Sequence, residues 1–169
     1  MKFKILKSRI LLVLVLSGLI HTAMLTQPVA RDLSSSPPSL PPLIATESEV
    51  KDFFDKYIER YSRKDIEGFL WLFSLKALQN QKDGLREIRQ AYNDFFKKSQ
   101  GLDYRLEDFK MEIYQNAAEV KARFRIHQIL TKGEGERVYQ GRIRWVLIRE
   151  RESGALKILS LDYQHQKSP

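Results

Sequence analysis

The stretch Arg137-Val-Tyr-Gln-Gly-Arg-Ile-Arg-Trp-Val-Leu-Ile-Arg-Glu150 decides how the rest of the chain is read. It is rich in β-branched and aromatic residues that alternate evenly, which predicts a strand. Odd positions Tyr139, Ile143, Trp145 and Leu147 form one apolar face. Even positions begin basic, at Arg142 and Arg144, and turn apolar at Val146 and Ile148. Apolar character on both faces predicts a central strand, covered on one side and partly covered on the other.

Three more strands are expected beside it, at about Leu106–Tyr114, Ala118–Leu130 and Ala155–Tyr163, with Val138–Arg149 as the central one. Gln115-Asn116, Lys132-Gly-Glu-Gly135 and Glu152-Ser-Gly154 punctuate them. These connections are too short for crossover helices, so sequence neighbours should pair antiparallel. In Ala118–Leu130 the apolar set is even, and one buried face must bring it to the odd set of the next strand. A turn centred between Gly133 and Glu134 does so, setting Phe124 opposite Ile143 and Ala122 opposite Trp145. A turn near Glu152-Ser153 then sets Leu147 by Ile158, Trp145 by Ser160 and Ile143 by Asp162. The core face expected from this register includes Phe109, Met111, Ile113, Val120, Phe124, Trp145 and Ile158, and it runs out into Ser160 and Asp162. A carboxylate at 162, facing inward beside Trp145 and Phe124, would be partly desolvated and suited to general acid or base work.

The opposite face carries Arg123 and Arg125 across from Arg142 and Arg144, an unfavourable pairing of like charges. Val146, Ile148, Leu159, Leu161 and Tyr163 lie beside them. A half-basic, half-apolar sheet face suggests a contact surface for a second copy of the chain or for an anionic partner.

Upstream, Thr46-Glu-Ser-Glu49 is a capping box. Val50, Phe53, Phe54, Tyr57, Ile58 and Tyr61 follow at helical spacing. Asp65 caps a second short helix holding Ile66, Phe69, Leu70 and Phe73. Leu75–Lys82 reads as irregular. A third helix after Asp83 carries Leu85, Ile88, Tyr92, Phe95 and Phe96 and ends at Gly101.

The first 45 residues differ in kind. Lys2, Lys4, Lys7 and Arg9 precede an apolar run, Ile10–Ile20, the pattern of a secretory leader over residues 1–25, either cleaved or kept as an anchor. Residues 26–45 hold five of the six prolines together with four serines and read as a tether. The domain then occupies 46–165, with a short tail at 166–169. Export would place it in the periplasm, or on the outer side of the cytoplasmic membrane. Without the four leader charges, 25 Lys and Arg stand against 21 acids, leaving about +4 of the formal +8. So mild a balance, with export, argues against a nucleic-acid partner. The absence of cysteine removes disulfides, thiolate metal sites and a Cys nucleophile, and only His127 and His165 lie outside the leader. No cofactor or metal is expected.

Three helices followed by a long antiparallel sheet resemble the nuclear-transport-factor-2-like (SnoaL-like) superfamily. The matching segments are Val50-Lys-Asp-Phe-Phe54, Tyr61–Phe73, Tyr92-Asn-Asp-Phe-Phe96, Tyr139–Glu150 and Gly154–Ile158. The pattern is most similar to exported domains found with Cds6-type L,D-transpeptidases. That resemblance implies an α+β cone whose curved sheet of about four strands wraps the first helix, with a pocket at its open end and dimers formed through the outer face. Tyr57, Tyr61, Trp71, Tyr92, Trp145 and Asp162 are the expected pocket residues. Arg123, Arg125, Arg142, Arg144, Val146, Leu159, Leu161 and Tyr163 are the expected interface. The functional expectation is a non-catalytic binding or scaffolding module of the cell envelope, a homodimer with an envelope or cell-wall partner and membrane contact only through the N-terminal segment. The alternative is an acid–base enzyme of isomerase or dehydratase type using Asp162.

Overall fold

A computed structural model describes residues 41–166. The leader, most of the tether and the last three residues lie outside that range. The elements run α1 (Glu47–Ser62), α2 (Ile66–Trp71), β1 (Phe73–Gln79), α3 (Leu85–Lys97), β2 (Ser99–Ile113), β3 (Ala118–Leu130), β4 (Glu136–Arg149) and β5 (Leu156–His165). Five strands form one curved sheet in the order β1-β5-β4-β3-β2, and three helices accompany it. This is the α+β cone, with one strand more than the four expected.

The capping box forms as its residue types dictate. Thr46 Oγ1 accepts from Glu49 N at 3.2 Å, and Thr46 N donates to Glu49 Oε2 at 2.8 Å. Arg149 ties this corner to the sheet, donating to Glu49 Oε1 at 2.7 Å and to the Ile44 carbonyl at 2.8 Å. Ala45, just before Thr46, is already buried. The apolar stripe of α1 faces the concave side of the sheet, where Phe54 meets Trp145 with ring centroids 4.7 Å apart and Phe109 at 5.1 Å. Trp145 and Phe124 are both buried, on the same side.

Three expectations need correction. Leu75–Lys82 is not irregular along its length, because its first half continues the strand β1, which pairs in parallel with β5. Parallel pairing to a distant strand leaves no hairpin signature in the sequence. The third helix ends at Lys97, and Gly101 lies inside β2 rather than at a helix cap. The β3–β4 turn is centred one residue earlier than expected, so Ala122 faces Ile143 and Val120 faces Trp145. That slide is two residues, one full strand period, and every side chain keeps its face.

Two bulges have larger consequences. In β2 the pairing shifts between Glu107 and Lys110, with Asp108 at φ +51°. Tyr104 and Leu106 therefore share the core face with Phe109, Met111 and Ile113, despite opposite parity. In β5 Leu147 pairs with Ile158 as expected, but Val146 then pairs with Ser160 and Trp145 with Leu161. One extra residue in β5 flips everything beyond it. Leu161 and Tyr163 turn inward, and Ser160 and Asp162 turn outward.

Candidate functional site

At the open end of the cone the helices and sheet leave a cavity of about 220 Å³. Tyr57 and Tyr61 enter from α1, and Tyr92 and Phe95 from α3. Tyr104, Ile126, Ile143 and Tyr163 come from four successive strands, and Gln79 from the end of β1. Ala91, Phe124, Tyr139 and His165 complete the wall. Helical spacing places Tyr57 and Tyr61 one turn apart on α1, so both point down the same wall.

Among the described residues, no Asp or Glu lines this cavity. Burial pushes the phenols of Tyr57, Tyr61, Tyr92 and Tyr104 well above the ordinary tyrosine value, with neighbouring tyrosines adding to the effect. They remain neutral hydroxyls under any physiological condition. Tyr139 is anchored from behind: its hydroxyl donates to Gln128 Oε1 at 3.2 Å, Gln128 Nε2 donates to Ser99 Oγ at 2.6 Å, and Ser99 Oγ donates to the Phe95 carbonyl at 2.7 Å. Fully satisfied, this buried chain fixes α3 against β3 and β4. The exposed His165 ring stands at the rim, 5.2 Å from Tyr163 and 5.7 Å from Phe124 by centroid. Gly141 lets that rim close, since a Cβ there would lie 2.0 Å from the Gln164 carbonyl and 2.9 Å from the Phe124 ring.

Of the six expected pocket residues, the cavity brings together Tyr57, Tyr61 and Tyr92. Trp145 is fully buried beneath it, as core. Trp71 ends α2 and is half exposed; the Lys157 ammonium sits 3.4 Å from its ring centroid and also donates to its backbone carbonyl. Desolvation lowers the Lys157 pKa. Asp162 lies on the convex face, where its carboxylate accepts from Ser160 Oγ at 3.0 Å and from Arg144 at 3.4 Å. The β5 bulge is the reason, and the acid–base role imagined for Asp162 in the cavity loses its geometric basis.

The same bulge divides the expected interface set. Leu161 is fully buried and Tyr163 lines the cavity, so neither side chain belongs to the outer face. Arg123, Arg125, Arg142 and Arg144 do lie there, with Val146 half-buried beside them and Leu159 half-buried in the bulge itself. Across β3 and β4, Arg123 lies opposite Arg142 and Lys121 opposite Arg144. Carboxylates relieve them: Arg123 meets Asp108 at 2.8 Å, and Glu119 bridges Lys121 at 2.5 Å and Arg144 at 2.8 Å.

Sequence reasoning missed Gln79, Tyr104, Tyr139, Tyr163 and His165 as cavity residues. A signal was present for Tyr163. Apolar parity in Leu156-Lys-Ile-Leu-Ser-Leu-Asp-Tyr163 switches from even to odd between Ile158 and Leu159, which is the mark of a bulge. Tyr104 shows the same switch relative to Phe109.

Solved structures with this architecture belong to the NTF2-like group. A protein provisionally assigned as a scytalone dehydratase from Novosphingobium aromaticivorans superposes with a TM-score of 0.64 at 10% identity, over 71% of this chain and 83% of that one. An NTF2-like superfamily protein from Salmonella enterica serovar Typhimurium gives 0.63 at 15% identity, over 72% and 91%. A protein provisionally assigned as a dehydratase of the NTF2-like family from Streptomyces avermitilis gives 0.61 at 12%, over 72% and 96%. The chain thus has the NTF2-like fold, one that carries proteins given enzymatic names and others named only for the fold. No family model and no curated protein matches the sequence. Among the described residues no helix is long and apolar enough to cross a membrane, and no cluster of three or more metal-ligating side chains occurs.

Proposed function

We propose that this chain is an exported, non-catalytic binding module of the cell envelope that holds a small neutral ligand in its tyrosine cavity and pairs with a second copy through the convex sheet face. The observation that carries the reading is the cavity wall itself. It offers aromatic surface and neutral hydroxyls, and no carboxylate, so it is suited to holding an uncharged molecule. Positive residues ahead of the apolar run at 10–20, followed by a Pro- and Ser-rich tether, support export and a domain held away from the membrane. The resemblance to domains found with Cds6-type L,D-transpeptidases supports a cell-wall protein as partner.

Dimerisation rests on the convex face. Val146, Ile148 and Leu159 form an apolar end beside the Arg rows, and Leu78 on β1, 45% exposed, extends it through its pairing with Ser160. Fractionation of cells carrying a C-terminally tagged chain tests export, and light scattering on the purified protein tests pairing. The expected results are the envelope fraction and twice the mass of one chain. A cytosolic monomer would overturn both parts.

A further inference from the structure

The register of the sheet sets cations against one another along the convex face. Across β2 and β3, Arg105 lies opposite Arg125 and Lys110 opposite Lys121. Across β3 and β4, the pairs are Lys121 with Arg144 and Arg123 with Arg142. Like charges directly opposite are destabilising, and the acids of the face answer only part of the cost. Asp108 takes Arg123, Glu119 takes Lys121 and Arg144, and Asp103 takes Arg105. Among the described residues Lys110, Arg125 and Arg142 meet no acid, and all three are exposed. The positive excess is therefore local, on a domain that is only mildly basic as a whole.

The neighbours of the two unpaired arginines repeat. On the next strand Gln140 lies opposite Arg125, and Gln164 lies opposite Arg142. Each pair offers a planar guanidinium suited to a carboxylate and an amide that can both donate to and accept from a hydroxyl. The register puts Arg125 and Arg142 on a diagonal, about 7–8 Å apart at their Cα atoms. Lys110 stands two strands from Arg142, roughly 12 Å away. An open cleft crosses the face here, with Lys110, Arg142 and Gln164 in its lining.

A guest that matches this pattern carries anions at intervals, with hydroxyls between them. A chain of acidic sugars has that chemistry. An anionic bilayer offers a continuous flat plane of charge. A convex face touches such a plane at few points, and the plane would press on Asp108, Glu119 and Asp162, which lie among the cations. An acidic peptide supplies the carboxylates without the hydroxyls.

We infer that the convex face binds an acidic polysaccharide, its uronate carboxylates on Arg125 and Arg142 and its hydroxyls on Gln140 and Gln164. This goes beyond the cavity and the pairing of two copies, and it uses other residues. Val146, at the apolar end of the face, lies four residues past Arg142 on β4, roughly 13 Å away.

Calorimetric titration of the full chain at low salt with hexagalacturonate, its methyl ester and hexaglutamate tests it, with sedimentation on phosphatidylglycerol vesicles in parallel. Hexagalacturonate should bind at least about tenfold tighter than the uncharged ester, and the binding should weaken as salt is raised, because the contacts are exposed. Hexaglutamate should bind severalfold more weakly than the sugar. Arg125→Gln combined with Arg142→Gln should weaken hexagalacturonate at least about tenfold. The mass by light scattering should stay unchanged and the unfolding temperature should be no lower than the parent's, since the change removes like-charge contacts. Lys51→Gln combined with Lys56→Gln takes the same charge from α1 and should leave the affinity within about twofold. Absence of hexagalacturonate binding, equal binding of the ester, or an equal loss in both double variants would overturn the site. Hexaglutamate binding as tightly as hexagalacturonate would overturn the saccharide class. Release from the vesicles in Arg125→Gln with Arg142→Gln, while hexagalacturonate binding stays unchanged, would assign the face to a membrane and overturn the proposal.

Discussion

Glu119→Gln probes how a sheet face with like charges opposite one another is held together. Glu119 on β3 lies next to the row in which Lys121 faces Arg144. Its carboxylate takes Arg144 at 2.8 Å and Lys121 at 2.5 Å. Hydrogen bonds from Arg144 and then Lys121 hold the carboxyl at about 2, against an ordinary 4.5. The folded-state pKa is depressed, so this stabilisation is fully present above about pH 4.5. It is lost as pH falls toward 2, because the unfolded chain takes up the proton first. At about 1.4 kcal/mol per pKa unit the ceiling is roughly 3 kcal/mol. Glu119 is 21% exposed, but its partners are 56% and 41% exposed, and solvent screens the pair. A net contribution of about 1–2 kcal/mol is the working figure. Urea unfolding at a series of pH values from 7 to 2.5 measures it. Glu119→Gln should be less stable than the parent by about that amount at pH 7, and the difference should close as the pH approaches 2.5. Parallel stability curves for the two proteins at all pH values would refute the reasoning.

Other substitutions separate core, rim and surface. Gly141→Ala should cost about 1–3 kcal/mol in urea unfolding, because its Cβ drives into the Gln164 carbonyl and forces the end of β5 off the cavity rim. Trp71→Ala should lower stability in urea unfolding by about 1–2 kcal/mol, since it strips the ring from a largely desolvated Lys157 ammonium. Val146→Glu combined with Leu159→Glu should halve the mass seen by light scattering; an unchanged mass would place any dimer contact elsewhere. Asp162→Asn should lower stability in urea unfolding by less than about 1 kcal/mol, because its carboxylate meets Ser160 and a solvent-screened Arg144 on the convex face.

The residues set out much of this molecule before any coordinates. Thr46 and Glu49 announce the start of α1, and the stripe from Val50 to Tyr61 announces its buried face, because capping chemistry and helical period are local properties. The alternation in Ala118–Leu130 and Arg137–Glu150 settles which residues face inward on the two central strands. That result survives a two-residue slide of register, since side chains repeat every two residues. Tyr57, Tyr61 and Tyr92 were legible as cavity residues for the same reason.

Tertiary structure decided the rest. β1 became a strand only by pairing with β5, whose partner residues lie 82 to 85 positions further along the chain. Single extra residues in β2 and β5 chose which side chains reach the cavity, moving Tyr104 and Tyr163 in and Asp162 out. A bulge inserts no distinctive residue and costs little, yet it reverses every side chain beyond it. The fold was therefore written in the composition and period of each segment, while the identity of the site depended on where two strands slip by one residue.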